Sequence, residues 1–170
     1  LTNEVGPATS GVFRPAALPI VNDYDRDGIA DYAVFEPSTG MYRIALSSTR
    51  YGAIIEGSAG ISDSDGKYGI VAIPGVYKRS SRGLVAGFAV FPTGGEADER
   101  YKLTFVDIDM ADSRLTADRL KEAVASGAPI SVGLSFTDPE DPTTDTPRRG
   151  LTSVPAFGDY GNDGVTEIGF

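Results

Sequence analysis

The sequence predicts an all-β fold, mainly antiparallel, with one short helix near residues 116–126. Three observations predict it. Short runs rich in Val, Ile, Phe and Tyr recur along the chain, each bounded by glycine or proline. Acidic, glycine-containing turns interrupt these runs at both ends of the chain. Only one stretch carries the spacing and the caps of a helix. At 170 residues the default is a single domain, 1–170, with enough chain for a sizeable core.

The first element is the turn and strand "NDYDRDGIADYAVF", residues 22–35. Carboxylates gathered this closely repel one another unless a positive charge lies among them. A hard cation suits that place, because calcium takes six to eight oxygen ligands from carboxylates, carbonyls and water. Asp23, Asp25 and Asp27 fall at loop positions 1, 3 and 5, and Gly28 at position 6 permits the sharp turn. The carbonyl of Ile29 and the carboxylate of Asp31 complete the expected set. A solvated acidic turn is the plainer reading, but ordinary turns do not need this alternation. An EF-hand would require an acid at position 12 and a helix after it. Position 12 is Val34, and "DYAVFEPSTGMYRIAL" continues as strand, Ser-Thr-Gly turn and strand. The loop is therefore expected to join strand to strand.

Residues 18–44, "LPIVNDYDRDGIADYAVFEPSTGMYRI", resemble the FG-GAP or VCBS-type repeat of bacterial surface proteins, itself similar to the calcium-binding blades of integrin α-subunit propellers. The resemblance rests on the D-x-D-x-D-G-x-x-D loop and the "STG" turn; the last strand, Met41-Tyr42-Arg43-Ile44, lacks the tryptophan often seen there. It implies a calcium-binding repeat over 17–50, with propeller-blade-like or sandwich-like sheets.

A second, partial copy occupies 151–170, where "VPAFGDYGNDGVTEIGF" aligns Pro155, Asp159, Tyr160, Asp163 and Gly164 with Pro19, Asp23, Tyr24, Asp27 and Gly28. Glu167 aligns with Asp31, and Gly161 replaces Asp25. Asp159, Asp163, Glu167 and the carbonyl of Val165 remain as ligands, so this loop is expected to be weak or empty. The copy stops inside the strand that should follow. The two loops start 136 residues apart. Residues 55–150 thus hold either repeats that have lost their loops or an inserted β-rich unit.

In that middle, residues 68–77, 83–91, 101–110 and 129–136 read as strands. Residues 116–127, "TADRLKEAVASG", read as the helix. Thr116 caps its start, Gly127 and Pro129 end it, and Ala117, Leu120, Ala123 and Val124 form a stripe expected to enter the core. The Pro-rich segment 136–150 is expected to be a mobile loop. Two smaller acidic clusters remain: Asp63 with Asp65 could be a truncated metal loop but offers only two carboxylates, and Asp107 with Asp109 and Asp112, at a strand end, could supply a site but reads first as a solvated strand edge.

Composition narrows function. The net charge is −9, from 24 acidic and 15 basic residues, which argues against nucleic acid and anionic membranes as partners. No apolar run is long enough to insert into a membrane. With no histidine and no cysteine, Ser-His-Asp and Cys-His catalysis and histidine-ligated zinc are excluded. No pair of acids is singled out for glycoside hydrolysis, so an enzyme is not expected. The expectation is a calcium-stabilised extracellular module, secreted or at the cell surface, for adhesion, ligand display or spacing, with an unknown protein or glycan ligand. The alternative is a carbohydrate-binding module of a secreted enzyme, with Tyr42, Tyr51, Tyr68 or Tyr77 stacking on sugar.

Overall fold

The computed structural model describes residues 17–64, 66, 69–79, 83–92, 104–132 and 156–169. It is all-β with one short helix. In chain order the elements are β1 (Leu18–Pro19), β2 (Tyr32–Glu36), β3 (Met41–Ala45), β4 (Ile54–Ser58), β5 (Ile70–Arg79), β6 (Gly83–Pro92), β7 (Thr104–Asp107), α1 (Ala117–Ser126), β8 (Ile130–Ser131), β9 (Ala156–Gly158) and β10 (Glu167–Gly169).

β1 to β4 and β8 form one sheet in the order β1-β2-β3-β4-β8, antiparallel except for the parallel β4–β8 pair. Strict alternation in "YAVFE" and "MYRIA" sends Ala33, Phe35, Tyr42 and Ile44 inward, and Tyr32, Val34, Met41 and Arg43 outward. The "PSTG" turn is closed by the Gly40 N–H donating to the Glu36 carbonyl at 2.8 Å. β5, β6 and β7 form a second sheet, β9 and β10 a third. Pro74 lies in β5, at the edge of its sheet, where the missing N–H is tolerated.

β6 explains its own continuous apolar sequence. Its even-numbered residues Ala86, Phe88 and Val90 join the main core with Ile20, Tyr24, Phe35, Tyr42 and Ile44. Its odd-numbered residues Ala89 and Phe91 join a second cluster with Ile73, Tyr77 and Phe105. A strand buried on both faces has no polar side to display.

The helix falls where its caps predict. The Thr116 hydroxyl accepts from the Arg119 N–H, and Gly127 ends the helix in the left-handed conformation. Its stripe is less buried than expected: only Ala123 is buried, Leu120 is partly so, and Ala117 and Val124 are exposed. The helix lies at the margin against the short turns 47–49 and 113–115, with Val124 beside Gly52. Of the strand expected over 101–110, Thr104–Asp107 is strand and 101–103 lie outside the described residues; beyond Ile108 the chain turns, with the Asp109 carboxylate accepting from the Ala111 N–H. Of the strand expected over 129–136, only Ile130–Ser131 is strand, and 133–136 lie outside the described residues. The proline-rich segment also lies outside them.

Candidate cation loops

The first loop is closed by an isolated bridge, in which the Asp31 N–H donates to the Asn22 carbonyl at 2.7 Å. Inside it the carboxylates fold the backbone. Asp23 accepts from the N–H of Asp27 at 3.0 Å and of Gly28 at 2.9 Å, and Asp27 accepts from the Ile29 N–H at 2.8 Å. Arg26 and Gly28 take left-handed backbone at φ 60° and 88°.

The second loop repeats this geometry. It is closed by the Gly158–Glu167 pair. Asp159 accepts from Asp163 at 3.0 Å and Gly164 at 2.9 Å, and Asp163 accepts from Val165 at 3.0 Å. Asn162 and Gly164 are left-handed at φ 53° and 80°. An asparagine in that conformation is less strained than Arg26 at the matching place.

Each loop brings three carboxylates together, with ligand oxygens all within 4.8 Å of one another. In the first loop these are Asp23, Asp25 and Asp27; in the second, Asp159, Asp163 and Glu167. Asp31 is not among the three. It is fully buried, and its two oxygens accept from the N–H groups of Tyr24 at 2.8 Å and Ser47 at 2.7 Å. It clamps the loop from behind. Glu167 also accepts from the matching Tyr160 N–H, at 2.6 Å, but its second oxygen turns inward. A Cβ at Gly161 would lie 3.1 Å from that oxygen. The longer acid thus extends toward the space that the absent side chain leaves open.

Two residues outside the motif support the first loop. The Ser47 hydroxyl donates to Asp27 at 3.0 Å and reaches the Ile29 carbonyl at 3.4 Å, and the Ser48 hydroxyl donates to Asp25. Sequence reasoning missed both, since they lie about twenty residues away across two strands. Burial and the charges of Asp31 and Asp27 raise the Asp25 carboxyl above the usual range, against the opposing Ser48 hydrogen bond.

Both donor sets are all oxygen, with the carboxylates converging, which is the chemistry a hard divalent cation requires. Acids of the two smaller clusters are held by local bonds. Asp63 is buried and accepts from the Gly69 N–H, while Asp65 lies outside the described residues. Arg114 pairs with Asp112 at 2.5 Å and holds its carboxyl down at about 2. Tyr42 and Tyr77 are buried; Tyr51 is exposed against Tyr32, ring centroids 4.7 Å apart; Tyr68 lies outside the described residues. A cleft of about 480 Å³ opens beside the first loop, between Asp25 and Arg26 on one side and Leu84 and Asp109 on the other.

No helix among the described residues is long and apolar enough to cross a membrane. Comparison with protein-family models, with curated proteins and with solved structures finds no match.

Proposed function

We propose that this chain is a calcium-stabilised module of a secreted or cell-surface protein, serving adhesion, ligand display or spacing and not catalysis. One observation carries the reading: two loops 136 residues apart in sequence fold with the same hydrogen bonds, and each draws three carboxylates to within 4.8 Å. Like charges so placed destabilise the folded state unless a cation lies among them. The first loop, with Asp23, Asp25, Asp27 and the Ile29 carbonyl as ligands and Asp31 behind them, is the tighter site. The second uses Asp159, Asp163, Glu167 and the Val165 carbonyl, and is the weaker. Extracellular calcium is abundant enough to fill sites of modest affinity. The ligand of such a module is a protein or a glycan.

The test is thermal melting of metal-stripped protein with and without calcium. Calcium at a hundredfold excess over Kd stabilises by about 2.7 kcal/mol, which raises Tm by about 5–10 °C in a chain of this size. Magnesium, smaller and slower to shed water, is expected to do less. Melting curves that coincide in the presence and absence of calcium would overturn the reading.

A further inference from the structure

The first loop gathers more than carboxylates. Asp27 is followed by Gly28, and an aspartate side chain can close on the nitrogen of the residue after it. Glycine presents that nitrogen with no side chain beside it. The same dipeptide recurs as Asp163–Gly164 in the third hairpin, β9–β10, which follows the β1–β2 and β5–β6 hairpins. A further Asp65–Gly66 has its aspartate outside the described residues.

The hydrogen bonds of the first loop place each reacting atom. Oδ1 of Asp27 accepts from the Ile29 N–H at 2.8 Å. A side chain bonded two residues ahead curls over the peptide between, so its carboxyl carbon faces the Gly28 nitrogen. The proton on that nitrogen points at Asp23, whose Oδ2 accepts from the Gly28 N–H at 2.9 Å. The second oxygen of Asp27 accepts from the Ser47 hydroxyl at 3.0 Å. Ser47 is itself held in place, because its N–H donates to the buried Asp31 at 2.7 Å. The loop thus holds a nitrogen, a base for its proton, a carboxyl carbon beside it, and a donor on each carboxyl oxygen. Gly28 is left-handed at φ 88°, and a Cβ there would meet nothing within 4 Å among the described residues, which leaves room for a ring.

We propose that Asp27–Gly28 is a site of self-modification, at which the folded loop converts its own aspartate to isoaspartate. The Gly28 nitrogen attacks the carboxyl carbon of Asp27 in its acid form. A C–N bond forms and the nitrogen's proton passes to Asp23. One carboxyl oxygen then leaves as water, carrying the acid's proton and the one returned by Asp23. The product is a succinimide ring. Water opens it at the α-carbonyl of Asp27, breaking the bond from that carbonyl to the Gly28 nitrogen. The backbone now runs through the side-chain carbon, and the α-carboxylate is left free. The water lost is regained, so the mass is unchanged and no oxidant, metal or enzyme takes part. Proximity, the base and the two donors are what favour the step. The product has one more carbon in its backbone, and the carboxylate is drawn away from Ile29 and Ser47. The proposal does not rest on the calcium reading.

Ageing the intact chain with a chelator present, at a single pH and temperature, tests it. After digestion the two isomeric peptides share a mass and separate by chromatography, and their fragment ions tell them apart. Isoaspartate is expected at residue 27 of the folded chain at a rate no lower than in the same chain in urea, since urea keeps the dipeptide and removes its partners. Asp23→Asn keeps an acceptor but loses the base, and is expected to slow the reaction at residue 27 about tenfold or more. The Asp163–Gly164 bond in the same sample is expected to react as before, which makes it the internal reference. Ser47→Ala keeps the backbone bond to Asp31 and is expected to slow residue 27 by less. A folded chain that stays unmodified at residue 27 while the chain in urea isomerises overturns the proposal. So does an Asp23→Asn chain that reacts as fast as the parent, or a Ser47→Ala chain that reacts as fast or faster.

Discussion

Asp27 is joined to more of the first loop than its neighbours are. One oxygen accepts from the Ile29 N–H, the other from the Ser47 hydroxyl, and its own N–H lies 3.0 Å from Asp23 and 3.3 Å from Asp25. Removing its carboxylate takes away a ligand, a turn and the tie to Ser47 at once. Asp163 holds the matching turn through Val165. Asp27→Ala is therefore expected to abolish the tighter calcium site, and Asp163→Ala to weaken only the second. Titration calorimetry on the two variants reads this directly, and greater loss from the Asp163 change would show that the loops are ranked the wrong way round. Protons compete at the same atoms. Because burial and neighbouring charge raise the Asp25 carboxyl, acid is expected to displace the ion at a higher pH than an ordinary aspartate would allow.

At the level of elements, β5 is the strand to which residues flanking both loops are bonded. The Asn22 amide, just before the first loop, donates to the Gly75 carbonyl at 2.8 Å. One residue on, Val76 exchanges two hydrogen bonds with Thr166, just before Glu167. This needs a glycine at 75, since a Cβ there would lie 2.4 Å from the Thr166 hydroxyl oxygen and 2.7 Å from its Cβ. Gly75→Ala must push the third hairpin away and is expected to cost about 1–3 kcal/mol. Thr166→Val keeps the shape and loses the hydroxyl's bond to the Val76 N–H, at about 1 kcal/mol. Denaturant midpoints of the two variants check the order, and a neutral Gly75→Ala would mean that the contact is loose.

Over the whole molecule, the interior is closed by tyrosines. Tyr24, Tyr42 and Tyr77 are each at most 3% exposed. Burial pushes the Tyr42 hydroxyl up to about 12, and holds Tyr24 and Tyr77 well above the ordinary tyrosine range. The folded pKa values are raised, so their contribution to stability is complete below the unfolded value of 10.0 and is lost as pH rises beyond it. Above that point the unfolded chain sheds three protons that the folded chain keeps, a slope of about 4 kcal/mol per pH unit. Cooperative unfolding is expected between pH 10 and 12, with the tyrosinate absorbance of all three rising together as the β-sheet signal falls. Stepwise titration of these tyrosines near pH 10 in a protein that stays folded would contradict it.

What the sequence determined by itself is local. The two turns form because the side chains of Asp23, Asp27, Asp159 and Asp163 bond to backbone N–H groups two to five residues ahead, wherever the loop is placed. The helix ends follow from Thr116 and Gly127, and the alternation in β2 and β3 fixes which residues share a face. Other features were settled only by tertiary structure. Tyr24 and Tyr160 occupy the same place in the same motif, yet one is buried and the other lies open. Asp31 and Glu167 align, yet one clamps from behind while the other joins its cluster. The helical stripe was legible, but its exposure depended on how little of the described chain lies against it. The physical reason is one of range. A bond closed within five residues is indifferent to the rest of the fold, whereas burial is decided by strands fifty to ninety residues distant, such as the partners of Asn22 and Thr166.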